Sequence, residues 1–304
     1  MTPQPGFSRR GSLLFGVMAL LWGVPYLFIS VAVDSISPPA IVAGRTLIAA
    51  LLLLPFALRS GALRAALRHW PWVLAFGAVE MAGPFLLLGH AEMTLPSGMT
   101  GLLVATVPLF AALIALSGGD RGVLRPARGI GLLVGFVGVA VVVAGPGLFG
   151  GEVSLLAAGE VLLVAVLYAI APFIVARKLN DVPSLGTITL SLLMIGVIYL
   201  PIGLLTQHEV PTLPSIGALL ALAVICTALA FLAFFALIRE VGPVRAPLFT
   251  YVNPVVAIVL GAIVLAEPLT PGLLLGFPLI IIGCWFAATG GRLRPMTPVP
   301  PAPA

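Results

Sequence analysis

The chain has 304 residues, of which 61% are hydrophobic and only 8% charged, with a net charge of +5. A soluble domain carries about a quarter charged residues, and no soluble fold of this length could hide so much apolar surface. Composition therefore excludes a soluble protein and points to an all-α polytopic membrane protein.

In chain order, residues 1–11 read as a short N-terminal tail. Ten apolar stretches follow, at roughly 12–33, 38–58, 71–91, 98–117, 129–148, 154–175, 185–205, 216–238, 246–265 and 272–289. Each is close to the roughly 20 residues that a helix needs to cross a bilayer. Residues 290–304, ending in PVPPAPA, read as a disordered Pro-rich tail. SRRGSLLF at 8–15 resembles a twin-arginine export signal. The apolar stretch behind it is too long for one and nine more spans follow, so the first helix is read as retained. GIGLLVG at 129–135 resembles a phosphate-binding loop, but it lies inside an apolar span with no strand before it. Small-residue helix packing is the better reading.

The basic residues orient the chain. Fourteen of the 15 Lys and Arg fall outside the spans, from Arg9 and Arg10 through Arg59, Arg64 and Arg68 to Arg292 and Arg294. All fourteen fall on one side of a ten-span arrangement. The opposite side carries only acids, namely Asp34, Glu92, Glu152, Glu209 and Glu267. The positive-inside rule then puts both termini in the cytoplasm. The positive charge is topology rather than a nucleic-acid footprint.

The chain also repeats itself. LLVATVPLFAALIAL (102–116) aligns with LFTYVNPVVAIVLGA (248–262), proline on proline. LRPARGIGLLVGFVG (124–138) aligns with LTPGLLLGFPLIIIG (269–283). Spans 4 and 5 therefore correspond to spans 9 and 10, and the halves are 12–148 and 154–289. Five spans per half is odd, so the second half enters the membrane from the other side. That is an inverted repeat, an arrangement common to secondary transporters.

LLWGVPYLFISVAVDSISPPAIVAGRTLIAALLLLP (20–55), GMTGLLVATVPLFAALIAL (98–116) and REVGPVRAPLFTYVNPVVAIVLGAIVLAEPLTPGLLLGFPLIIIGCW (239–285) together resemble the EamA family of the drug/metabolite transporter superfamily. The resemblance covers nearly the whole chain in order. It implies ten helices in two inverted five-helix repeats that move small metabolites, often outward. The family's arginine in the second helix matches Arg45, its tryptophan in the first matches Trp22, and its acid after the ninth matches Glu267. Asp120-Arg121 stands where the family often has a glutamate.

Only Arg45, Glu80 and Glu160 are charged within the spans. Ionisable residues at membrane depth face the bundle interior and mark pathways. Arg45 and Glu160 lie at similar depth from the acidic side, with Glu80 near mid-span. An Arg45 paired alternately with a glutamate and an anionic solute group would explain its place in hydrocarbon. A fixed structural ion pair, or an arginine snorkelling to the headgroups, would explain it equally. Glu80 and Glu160 are the candidate coupling residues. Trp22 and Tyr26 share a face of the first span, and with Tyr168, Tyr251 and Asn253 they are candidate cavity residues. Thr106 adds a further polar group. Pro84, Pro108, Pro172 and Pro254 are candidate hinges, or fixed kinks. Gly131-Gly135 and Gly272-Gly276 either pack inside the bundle or form a homodimer seam.

Catalytic and metal-binding motifs are lacking, and Cys226 and Cys284 are isolated, so no cofactor is expected. The leading reading is a secondary exporter of amino-acid-like or drug-like solutes in the cell membrane, with a small-molecule solute and lipid as its partners. A non-transporting scaffold or an intramembrane enzyme is the alternative. The charge pattern makes a topological prediction. A cysteine in the 176–182 loop should react with an impermeant label only from the cytoplasm, and one in the 207–212 loop only from outside. Outside labelling at 176–182 contradicts the arrangement.

Overall fold

The computed structural model describes residues 8–119, 125–148, 153–242 and 246–290. Asp120-Arg121, Glu152, Arg245, residues 1–7 and residues 291–304 lie outside the described residues. Among the described residues ten helices are of membrane length: α1 (Arg9–Val33), α2 (Pro38–Arg59), α3 (Trp70–Ala91), α4 (Ser97–Ser117) and α5 (Pro126–Leu148) in the first half. The second half has α6 (Leu155–Lys178), α7 (Ser184–Thr206), α8 (Leu213–Val241), α9 (Ala246–Val264) and α10 (Pro271–Thr289). A short helix, Ala62–Leu67, joins α2 to α3.

Helix starts follow from local chemistry. Ser8, Ser154, Thr212 and Thr270 each turn a side-chain oxygen onto the backbone N–H three residues on, capping α1, α6, α8 and α10. Proline occupies the first turn of α2, α3, α8 and α10, where its missing N–H costs nothing. The Thr212 cap and Pro214 start α8 earlier than apolarity alone indicates, and α8 runs past the expected 216–238 at both ends.

Helix packing repeats across the halves. α2 lies along α7, α5 along α10 and α4 against α9, while α1 packs on α8 and α3 on α6. Exchanging the halves maps the first three pairs onto themselves and turns the α1–α8 pair into α6–α3. This is the relation expected of an inverted five-plus-five repeat. Backbone irregularities obey it too. A π-turn interrupts α3 at Ala78–Ala82, and another interrupts α8 at Val224–Leu229. α4 breaks between Val104 and Val107, immediately ahead of Pro108. α9 begins as a 3-10 turn, Ala246–Tyr251, before Pro254.

Of the candidate hinges, Pro84 follows the α3 π-turn, and Pro108 and Pro254 follow the matched breaks. Pro172 instead lies inside an uninterrupted α6. Its matched helix α1 is the one that breaks, at Val24 ahead of Pro25.

The core divides along the membrane normal. At the end that carries the acidic connections, Ile29, Ile36, Leu88, Leu95, Met99 and Leu103 belong to one buried cluster shared by both halves. Toward the basic end the packing parts. One cluster joins α2, α3, α6 and α7 and takes in Ala228 of α8. A second, around Met18, Leu237 and Phe249, joins α1, α8 and α9.

The glycines Gly131, Gly135 and Gly276 lie in the α5–α10 seam, so they pack inside the bundle. A Cβ on Gly283 would collide with the backbone of Gly135. Gly283→Val should therefore separate α5 from α10 and destabilise the protein by ~1–3 kcal/mol, the range for overpacked sites. Thermal unfolding in detergent checks this, and an unchanged midpoint contradicts it.

Candidate functional site

A cavity of about 260 Å³ lies at mid-depth, where the two basic-end clusters part. Its walls come from α1, α2, α3, α4, α6, α8 and α9. Arg45, Glu80, Trp22, Tyr26, Tyr168, Tyr251, Asn253, Pro108 and Pro254 all line it, so most of the candidate residues converge. Glu160, Pro84 and Pro172 do not line it.

Arg45 is 6% exposed, and its position seven residues into α2 puts it roughly 10 Å deep. Its Nε donates to Thr227 Oγ1 at 2.8 Å. The same hydroxyl donates to Leu222 O at 2.8 Å, five residues back, within the α8 π-turn. The guanidinium carbon stands 3.8 Å from the centre of the Phe85 ring, a cation–π contact. Among the described residues no carboxylate is within ion-pairing distance of Arg45. The expected pairing with Glu80 or Glu160 is thus not present. Glu160 is engaged elsewhere, with both its oxygens 2.9 Å from His90 Nδ1. Depth alone suggested its partner, but the face of α6 that carries it meets the end of α3.

Glu80 sits in the α3 π-turn and faces the same cavity. Tyr168 lines this cavity together with Glu80, Tyr26 and Arg45, so the four polar groups form one neighbourhood. Trp22 packs among Phe231, Phe234 and Phe249, with ring centres 5.7, 5.1 and 5.4 Å away. Asn253, with its amide nitrogen turned toward Ala19 O and Phe249 O at 3.2 Å each, ties the start of the α9 helix to α1. Thr106 is fully buried, donates to Leu103 O at 2.6 Å and stays out of the cavity.

Sequence reasoning missed Phe85, Thr227 and Cys226. A threonine in the apolar run VICTALAF was a usable signal for Thr227, whereas nothing marked Phe85 among its apolar neighbours. Among the described residues no group of three or more His, Cys, Asp or Glu side chains is placed to hold a metal ion.

The acidic end is stitched shut between the halves. Glu267, just past α9, accepts from the Ser97 and Gly98 backbone N–H groups at 2.7 and 3.0 Å, capping α4. Gln207 bridges the α1–α2 and α7–α8 connections. It accepts from Ser37 N and donates to Ser35 O, both at 2.8 Å.

A two-fold helical bundle, closed at one end around a small charged and aromatic cavity, is the build of a membrane transporter. The profile of the EamA-like transporter family matches residues 9–144 and again 155–289, and the chain belongs to that family. It is 29% identical over 294 residues to the uncharacterized inner membrane transporter YedA of Escherichia coli K12, covering 94% of both chains. It is 32% identical over 294 residues to the uncharacterized transporter YvbV of Bacillus subtilis, again covering 94% of both. A solved crystal structure, 22% identical, superposes with a TM-score of 0.63 over 91% of this chain and 96% of its own, which speaks to the fold alone.

The Arg45 anchor is testable without a solute. Thr227→Val keeps the shape but leaves the buried Nε without its acceptor. An orphaned donor of this kind costs about 1–3 kcal/mol. The thermal midpoint should fall, and the loss should be small when Thr227→Val is made on Arg45→Ala. An equal loss in both backgrounds contradicts the anchor.

Proposed function

We propose that the protein is a secondary transporter that exports small amino-acid-like solutes by alternating access. One observation carries this reading: Arg45 presents a fixed, carboxylate-free guanidinium in a cavity that also holds Glu80. A zwitterion fits that pair, with its carboxylate on Arg45 and its ammonium toward Glu80. Planar, bidentate recognition suits a carboxylate. The cavity volume stands just below the roughly 300–1,000 Å³ of drug-sized sites, which favours a small metabolite. The apolar walls supply contact area, and the tyrosines supply directional hydrogen bonds.

The basic-residue pattern puts both termini in the cytoplasm of a cell membrane. On that orientation the sealed acidic end faces outward, and the cavity stands in a cytoplasm-facing state. The matched breaks of α4 and α9 and the π-turns of α3 and α8 are the joints about which the two halves exchange conformations. The irregular backbone lines the cavity, where membrane-depth backbone is tolerated. The chain is a transporter and not an enzyme on this reading, and it draws on an ion gradient. Glu80 loads and releases the proton as the cavity alternates. Glu160, held by His90 away from the cavity, is the weaker coupling candidate.

Flux into proteoliposomes containing only this protein tests the reading. Arg45→Ala should lower solute counterflow at least ~100-fold with the fold intact, and Arg45→Lys should rescue poorly because lysine lacks the planar fork. Glu80→Gln should lose pH-driven accumulation yet keep exchange at equal concentrations. Near-normal flux in Arg45→Ala reduces that residue to a structural anchor. Accumulation surviving in Glu80→Gln removes the proton from it.

A further inference from the structure

Glu92 ends α3 at the sealed acidic end and is 5% exposed. Neither of its carboxylate oxygens makes a well-formed hydrogen bond, although the backbone of Ser30 approaches it. Ser97 Oγ, fully buried at the start of α4, is likewise unpartnered. The Glu267 carboxylate approaches the same place from α9, held on α4 by its two backbone hydrogen bonds. Ala266, immediately before it, takes φ 53°, and Glu267 N donates to Gly261 O at 3.0 Å, so a left-handed turn aims this acid back at α4. Glu267 is thus a satisfied helix-capping anion. Glu92, whose charge Glu267 opposes, is a buried carboxyl whose oxygens cap no helix.

We propose that Glu92 is the proton-binding site of the acidic-end gate, protonated when α1, α3, α4 and α9 close over the cavity and ionised when they part. This rests on the alternating-access reading. A buried carboxylate without a well-formed hydrogen bond is strongly disfavoured, so the closed gate requires the neutral acid. When the gate parts, water reaches Glu92 and its proton leaves to the aqueous phase at that end. The new carboxylate then repels Glu267 and holds the gate open until a proton returns. The proton lost on opening is regained from the same outer phase on closing, so this site gates the acidic end by pH and itself carries no net proton across the membrane.

The groups facing Glu92 agree with this. Glu267 comes from α9, and Tyr26, from α1, shares its field and also lines the cavity. His90, on its own helix, is engaged by Glu160 of α6. Among the described residues no basic group offsets the charge. Burial first, and then Glu267, push the Glu92 carboxyl well above the ordinary 4.5, opposed only by the Ser30 backbone. Its affinity is raised in the closed state and ordinary in the hydrated open one. The closed state therefore binds the extra proton, is favoured at low pH, and loses ground as pH climbs above the ordinary carboxylate range.

The test needs no solute. Nitroxides are placed on Leu155→Cys and Leu213→Cys, 73% and 83% exposed at the acidic ends of α6 and α8. Cys226 and Cys284 are replaced by serine, and the full chain is held in lipid nanodiscs. Double electron–electron resonance should shift from a short to a longer separation as pH rises. Glu92→Gln should remain short at every pH. A separation that ignores pH in the parent, or a Glu92→Gln variant that keeps the parent's transition, overturns the proposal. Should Glu92→Gln fail to fold, Glu267→Gln decides. Removing its charge takes away the repulsion that opens the gate, so the transition should move to higher pH or disappear, and an unmoved transition overturns the proposal. Failure of solute flux beside an intact pH-dependent separation would sink the transport reading and leave the proton site standing.

Discussion

The structure is organised around one buried guanidinium. Among the described residues Arg45 has no ion pair, and a buried cation at this depth is tolerable only if its surroundings are built for it. Two helices from different halves supply them, α8 through Thr227 and α3 through Phe85. The Thr227 hydroxyl can serve because the π-turn carries it toward Arg45 while its own proton goes to the Leu222 carbonyl. A regular helix would rotate that hydroxyl away. The contacts restrain the guanidinium but leave it without a counter-charge in a small cavity, which is the condition for binding an anionic group.

The two-fold relation explains where irregular backbone falls. The π-turns occupy matched places in α3 and α8, and the breaks occupy matched places in α4 and α9. On the alternating-access reading, such paired irregularities are what would let each half adopt the other's shape. The closure is nevertheless one-sided. Hydrogen bonds through Gln207 and Glu267 bind the acidic end across the halves, while the basic end separates into two clusters. α5 and α10 stand apart from the cavity and pack glycine on glycine. On the same reading they are the fixed support on which the other helices would rearrange.

Much of the fold was legible because hydropathy, charge asymmetry and repetition are properties of the chain itself. Arg45 and Glu80 stood out because charge within a span is costly. The proline match located the α4 and α9 breaks. The break of α1 at Pro25 went unread inside a continuous apolar run, although Gly23 and Pro25 together carry the signal of an interrupted helix. The π-turns left no mark, since one inserted residue changes the face a side chain takes without changing composition. Phe85 was invisible for a related reason: an aromatic residue becomes a cation's partner only when tertiary packing puts it 3.8 Å away. Glu160 was misleading because depth along a helix says nothing about azimuth. Glu92 looked like one more loop acid, and only its burial without a well-formed hydrogen bond separates it from the rest.

The most direct test of the account is whether the cavity distinguishes a carboxylate from its neutral analogue. Thermal stabilisation of the purified protein can be measured with small amino acids, their amides and the matching amines. Anything that binds the folded state raises the midpoint in proportion to its affinity. The account predicts that a subset of the zwitterions stabilises the protein, that the corresponding amides and amines do not, and that the effect vanishes in Arg45→Ala. Equal stabilisation by acid and amide, or an effect untouched by Arg45→Ala, would contradict a carboxylate site at Arg45.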